Sequence, residues 1–245
     1  QRGLTAKMHQ VVGIPSHWIT VMAKDADADL IVLGTHGRTG LEHILLGSTA
    51  ERVVVQAPCP VLTVRLVGTG PLPKGTGTPQ ASQSPGACPP EAPDIRRILV
   101  PIDFSDCSLD ALEYALQAAK QFGAAITILH VLEPASYSLD FTLIHAGEAR
   151  AQRERLEARL KDLTALLRRE GLTADHVLRG GLPTDSVLDW SREEAYDLIV
   201  MGTHGRRGVS HLVSGSVAEA VLRRASCPVL TVKSPKFISG HRRIV

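Results

Sequence analysis

No charge of one sign dominates this chain: its 245 residues carry a formal net charge of +2. A global field that would draw it to nucleic acid or to a membrane surface is therefore missing. Nor does any apolar run approach the roughly 20 residues that a membrane span needs, and no signal peptide is visible. Cysteine is scarce. The four thiols, Cys59, Cys88, Cys107 and Cys227, form no C-x-x-C pair. Cys59 and Cys227 each stand just before Pro-Val-Leu-Thr-Val and read as small residues at a strand entrance, not as disulfide partners. A reducing cytoplasm fits that usage. Catalytic signatures are missing as well. There is no G-x-x-x-x-G-K-[ST] phosphate loop, no G-x-S-x-G elbow, no H-E-x-x-H, and no general base set beside a nucleophile. The shortage argues for binding over turnover.

What the chain does have, it has twice. Gly34-Thr-His-Gly37, nine residues and Gly47-Ser48 recur as Gly202-Thr-His-Gly205, nine residues and Gly215-Ser216. Adding 168 to any position from Leu4 to Arg65 gives its counterpart between Leu172 and Lys233, without a gap. About 28 of roughly 62 such pairs are identical, and a repeat of this kind fixes the folding unit. The second copy has an N-terminal part, Ile95 to Glu170, with no counterpart before Leu4. Residues 1–66 therefore read as the C-terminal half of a unit whose first half is absent. Residues 67–94, rich in Gly, Pro, Ser and Thr, read as a flexible linker. Residues 95–235 read as a complete unit and 236–245 as a tail.

Within 95–235 short apolar runs alternate with helical patterns. Strands are expected at Arg97–Ile102, Ala125–Val131, His176–Arg179, Asp197–Gly202 and Pro228–Val232. Ser105 or Asp106 can cap a first helix with Leu109, Leu112, Leu116 and Ala119 on one face, ending at Gly123. A longer helix carries Leu156, Leu160, Leu163 and Leu167, a stripe too short for a coiled coil and suited to covering a sheet face. Thr184 or Asp185 begins a helix that runs to about Glu194, and another spans Ser216 to Arg224. This alternation means an α/β fold, a parallel sheet covered by helices on both faces. Ligands of such sheets sit beyond the C-terminal strand ends, where strand order reverses.

The residues at those ends suit an anion. Gly202 and Gly205 let the backbone approach a ligand closely or take a positive φ. Gly215 and Ser216 open a helix whose first amides can hold phosphate oxygens. Turns alone would also account for these glycines. Arg206, in register with Arg38, suits a phosphate as a charge partner, or a solvated loop. Asp103 can accept from ribose hydroxyls or a base, or cap a helix. His204 and His211, repeated as His36 and His43, lack nearby Cys or carboxylate support and make a weak metal-ligand set.

Ile98-Leu-Val-Pro-Ile-Asp103-Phe-Ser, Ile-Leu-His130-Val131, the G-x2-G-x9-G-Ser motif after Asp197-Leu-Ile-Val-Met, and the closing Cys-Pro-Val-Leu-Thr-Val together resemble the universal stress protein family. The resemblance covers 95–233 fully and 4–66 as a C-terminal half. It implies a five-stranded parallel sheet in the order 3-2-1-4-5 and ATP, with Mg²⁺, at the crevice between strands one and four. Asp103 and Val131 would then face the adenosine, flanked by Pro101, Ile102 and Met201. Gly202, His204, Gly205, Arg206, Gly215, Ser216 and Val217 would surround ribose and phosphates. The first half keeps Gly34, Gly37, Arg38, Gly47, Ser48 and Thr49 but has no strand-one aspartate, so its site is incomplete. The family also pairs units through their fifth strands, which implies an intramolecular pseudo-dimer or a homo-oligomer. The function expected is a cytoplasmic, stress-linked, adenine-nucleotide-binding regulator with at most slow hydrolysis. A nucleotide-independent dimerisation module and an ATP-using enzyme are the alternatives.

Overall fold

Apolar runs bounded by turn residues become strands, and stripes at helical spacing become the layers that cover them. A computed structural model describes residues 5–34, 47–65, 94–133, 146–203 and 215–233. The strands are β1 (Ile31–Gly34), β2 (Val61–Val64), β3 (Arg97–Pro101), β4 (Ala125–Leu132), β5 (Ala174–Gly180), β6 (Leu198–Gly202) and β7 (Val229–Val232). The helices are α1 (Pro15–Asp25), α2 (Ser48–Gln56), α3 (Asp106–Phe122), α4 (Ala146–Arg169), α5 (Pro183–Glu193) and α6 (Ser216–Arg224). The repeat holds in three dimensions. Adding 168 to the bounds of α1, α2 and β2 gives those of α5, α6 and β7. The linker at 67–94, save for Asp94, and the tail at 236–245 lie outside the described residues.

All the strands join one seven-stranded sheet in the order β1-β2-β7-β6-β3-β4-β5. From β3 to β7 the five strands are parallel and stand in the order 3-2-1-4-5, as the resemblance implied. Local sequence explains the helices that cover them. Ser105 caps α3 by accepting from the Ser108 amide, and Gly123 ends it at φ 70°, a left-handed turn that favours glycine. Proline opens both α1 and α5, where its missing N–H costs nothing. The buried face of α3 combines the expected Leu112, Leu116 and Ala119 with Ala111 and Ala115. Leu109 is only partly buried. On α4, Leu160 and Leu167 are fully buried, and Leu163 packs against the same core. Burying one such leucine contributes roughly 2 kcal/mol.

The core has two layers, one on each face of the sheet. Helices α3 and α4 cover Ile98, Val100, Ile126 and Ile128 on one side. Helices α1, α2, α5 and α6 share the other side, over Leu99, Leu129, Ile199 and Met201. Helices of the first repeat thus add to a layer begun by the second.

The two repeats meet where their last strands pair antiparallel, so the expected pairing of fifth strands is present within the chain. Leu62 faces Leu230, its own counterpart, and a pseudo-twofold axis passes through that pair. The contacts around the axis are reciprocal. Thr63 Oγ1 donates to the Val229 carbonyl at 3.1 Å and Thr231 Oγ1 to the Val61 carbonyl at 3.2 Å. Arg65 donates to the carbonyl of Ala225, the C-cap of α6, at 3.3 Å. Lys233 donates to the carbonyl of Ala57, the C-cap of α2, at 3.1 Å and also to that of Val55. Each repeat thus supplies a cation to the negative end of the other's last helix. Burial lowers the Lys233 pKa, and nearby Cys107 and Cys59 oppose that shift. Arg223 adds an unreciprocated bridge, to Glu51 at 3.3 Å and to its own neighbour Glu219 at 2.9 Å.

The symmetry ends at the sheet edge. β6 has β3 beside it, whereas β1 pairs with β2 and forms an edge. Leu198 and Val200 are 3% and 0% exposed, while their counterparts Leu30 and Val32 are 45% and 59% exposed. The difference is the cover that α3 and β3 give to the second repeat.

Candidate functional site

The order of the strands reverses between β3 and β6, and their C-terminal ends define the crevice where a parallel sheet takes a ligand. Pro101 ends β3. The Ile102 amide then donates to the Leu129 carbonyl at 2.8 Å, which carries the chain one residue beyond the strand before it turns. Asp103 is half-buried in that turn. Its Oδ1 accepts from the Ser105 amide at 3.0 Å and the Ser105 hydroxyl at 2.5 Å. The carboxylate therefore supports the capping residue, and the cap itself is Ser105.

Phe104, between them, has φ 62°, a conformation uncommon for any residue except glycine and an outlier for a bulky one. Its ring lies against His130, with centroids 5.0 Å apart, and under the Arg159 guanidinium at 3.9 Å. His130 is buried, and its Nδ1 stands 2.7 Å from the Ile102 carbonyl oxygen. A carbonyl can only accept, so Nδ1 carries the proton and donates.

On the other side of the crevice, Met201 and Gly202 end β6. The Met201 side chain is buried in the core beneath α5 and α6. Gly202 faces α3: a Cβ there would stand 2.8 Å from the Cys107 carbonyl carbon, 2.9 Å from its oxygen and 3.0 Å from its Sγ. Close helix–strand packing thus requires a glycine at this position. Cys107 Sγ in turn donates to the Val232 carbonyl at 3.1 Å.

The chain leaves Thr203 and returns at Gly215 to the same place. The Thr203 amide donates to the Val232 carbonyl at 2.9 Å, and the Gly215 amide to the Thr203 carbonyl at 2.7 Å. Gly215 is the N-cap of α6, and among the described residues no side chain caps that helix. Exposed Ser216 and half-buried Val217 form its first turn. An uncapped helix N-terminus thereby lies beside the end of β6. Val131 lies on β4, half-buried against the core.

Of the residues expected at the site, Pro101, Ile102, Asp103, Met201, Gly202, Gly215, Ser216 and Val217 lie around the ends of β3 and β6, and Val131 on neighbouring β4. His204, Gly205 and Arg206 lie outside the described residues, as do His211, His36, His43, Gly37 and Arg38. In the first repeat Gly34 ends β1, and Gly47 caps α2, which Ser48 and Thr49 open. No strand flanks β1 on the Gly34 side among the described residues. Phe104, Cys107, His130, Arg159 and Thr203 join the second-repeat surroundings without having been expected there. The sequence signals for them were the Asp103-Phe-Ser and Leu-His130-Val131 strings and, for Thr203, the repeated Gly-Thr-His-Gly motif; Cys107 and Arg159 had none. Among the described residues no three His, Cys, Asp or Glu side chains are grouped to hold a metal ion, and no helix is long and apolar enough to cross a membrane.

Comparison with known proteins identifies the arrangement. A family model described as the universal stress protein family matches residues 1–65 and 94–233. A universal stress protein of Methanocaldococcus jannaschii is 32% identical over 148 residues, 58% of this chain and 84% of that protein. One from Mycobacterium bovis is 26% identical over 236 residues, 95% of this chain and 70% of that protein. Among solved structures, a functionally unknown protein of Pseudomonas aeruginosa aligns with a TM-score of 0.66 at 18% identity, over 94% of this chain and 71% of its own. That likeness is one of fold.

Proposed function

This chain belongs to the universal stress protein family, and on that footing we propose that it is a stress-response regulator that binds an adenine nucleotide in its second repeat. The observation that carries the reading is the closure at the β3–β6 switch point. Thr203 and Gly215 bring the uncapped start of α6 back to the end of β6, across from the Asp103 turn. One side offers helix amides to phosphate oxygens, and the other a carboxylate to hydroxyls or a base. ATP fits this donor set. Asp103 and Val131 would take the adenosine, with Pro101, Ile102 and Met201 shaping the floor. Gly202, His204, Gly205, Arg206, Gly215, Ser216 and Val217 would take ribose and phosphates. Bound ATP would bring a transferable γ-phosphoryl and its Mg²⁺, and hydrolysis should be slow at most, since positioning supplies only part of that barrier.

In this reading residues 95–235 act as the complete unit and 1–66 as a half-unit docked through β2, working in a reducing cytoplasm. Gly34, Gly37, Arg38, Gly47, Ser48 and Thr49 would bind nucleotide weakly or not at all, because among the described residues no aspartate-bearing strand stands beside β1. Calorimetry with ATP and adenosine tests the reading. Gly215 has φ −58° and ψ 143°, a conformation open to valine, so Gly215→Val should fold and lose ATP. Asp103→Ala should weaken ATP and adenosine alike, by roughly 1–3 kcal/mol, and Arg206→Ala should weaken ATP alone. Unchanged affinity in folded Gly215→Val would leave the glycine loop a structural turn and the chain a pairing module. Its readiest support would then be Gly202, which helix packing already explains.

A further inference from the structure

We propose that Phe104 is the positioning residue of the site: its ring, gripped between His130 and Arg159, fixes the turn that presents Asp103. The proposal rests on the nucleotide reading for its consequence and on geometry for its substance. The backbone at Phe104 has φ 62°. Glycine adopts that conformation without steric cost, whereas for a side chain the left-handed region costs roughly 1–2 kcal/mol. At Phe104 the contacts of the ring offset that cost.

The ring packs against the core layer under α3 and α4 and meets two polar partners on two elements. His130, on β4, touches it at 5.0 Å between centroids, and Arg159, on α4, caps its face at 3.9 Å. His130 also holds the Ile102 carbonyl at 2.7 Å. One buried imidazole therefore grips the residue before Asp103 through its carbonyl and the residue after it through its ring. Asp103 stands between two fixed neighbours, and its Oδ1 is then tied down by Ser105. A carboxylate held this way need not be ordered when a ligand arrives, and preorganisation of that kind strengthens binding without adding a contact. Arg159 extends the grip to α4, whose leucine stripe lies in the core beneath.

Three variants of the full chain test this. Phe104→Gly keeps the turn permissible and removes the ring. Phe104→Tyr keeps the ring. Arg159→Gln removes the cation from an exposed position, leaving the core intact, and decides the matter if Phe104→Gly does not fold. Two readouts are taken: affinity for ATP and for adenosine, and hydrogen exchange of the Ser105 amide that donates to Asp103. Phe104→Gly should weaken both ligands by the same factor, about tenfold, and speed Ser105 exchange. Arg159→Gln should do so to a smaller degree, and Phe104→Tyr should restore both readouts to within twofold. Wild-type exchange and wild-type affinity in folded Phe104→Gly would overturn the proposal, as would an unaltered Arg159→Gln if the glycine variant is unfolded. If the wild-type chain binds neither ligand, the nucleotide reading fails, and Ser105 exchange alone decides the role of Phe104.

Discussion

Replacing Gly202 with alanine adds one methyl group where the structure leaves no room for it. The Cβ would stand 2.8 Å from the Cys107 carbonyl carbon and 2.9 Å from its oxygen. Those are backbone atoms in the first turn of α3, and they cannot rotate away. Either α3 lifts from the sheet or β6 moves, and both disturb the Cys107 Sγ bond to the Val232 carbonyl at 3.1 Å. Overpacking of this kind costs roughly 1–3 kcal/mol, and in a chain of this size each kcal/mol lowers Tm by about 2–4 °C. Gly202→Ala should therefore unfold some 2–12 °C below wild type, by about the same estimate, with a lower denaturant midpoint and an unchanged m value. Gly180→Ala is the control: it lies on β5 with nothing within 4 Å of its Cβ, and should leave the midpoint where it was. The double variant Cys107→Ala, Gly202→Ala separates backbone from side chain. Only the third contact, with Sγ at 3.0 Å, is relieved, so most of the loss should remain. A Gly202→Ala midpoint equal to wild type, or full rescue by Cys107→Ala, would refute the reasoning.

Other changes follow from the same geometry. Ser105→Ala removes the N-cap of α3 and the hydroxyl bonded to Asp103, and should cost about 1–2 kcal/mol in denaturant melts. Burial pushes the Cys227 thiol up to about 11, so at pH 8.5 only about 0.3% is thiolate, and iodoacetamide should modify it far more slowly in the folded chain than after unfolding. Lys233 binds its proton less tightly folded than unfolded, chiefly because burial penalises its charge. The unfolded chain then holds more protons between the lowered value and 10.5, so this group makes stability rise with pH across that window. The difference between wild-type and Lys233→Met stability curves should show that rise, and a flat difference would contradict it.

The parts legible in the sequence were those that local patterns encode. β3 and β6 carry the buried apolar runs Ile98–Val100 and Leu198–Met201, β7 is buried and apolar save for Thr231, and the stripe on α4 has one apolar face. The meeting of β2 and β7 was expected from the family resemblance, which pairs units through their fifth strands, and the identical strings of the two repeats marked which strands those are; their antiparallel register came from the structure. β5 was expected only over His176–Arg179 and runs from Ala174 to Gly180. As an edge strand with mostly half-exposed positions, it carries no apolar run to mark its length. The buried face of α3 was read from leucines, but Ala111 and Ala115 do as much of its close packing, and alanine leaves little trace in a hydrophobic pattern. At the site, Asp103 and Gly215 stood out by type and position. The demand for glycine at 202 comes from Cys107, nearly a hundred residues away, and the grip on Phe104 from β4 and α4. The caps donated by Arg65 and Lys233 cross the repeat boundary. No sequence window contains such pairs, so only the folded chain brings them to view.

The antiparallel seam between β2 and β7 joins two parts of one molecule. In separate subunits the same seam would form and dissolve with protein concentration. Here the segment between Val64 and Arg97 ties the two edges covalently, so an effective concentration set within the chain takes the place of the protein concentration. Dilution cannot part them. Any property that the second repeat owes to this neighbour is therefore present at the lowest expression level and does not grow as the protein accumulates. The two sides of the seam are also free to diverge, since a change in one is no longer copied into the other. Arg223 is an early sign of that freedom: it bridges to Glu51 across the seam, while its own counterpart in the first repeat is Val55, which can answer no carboxylate.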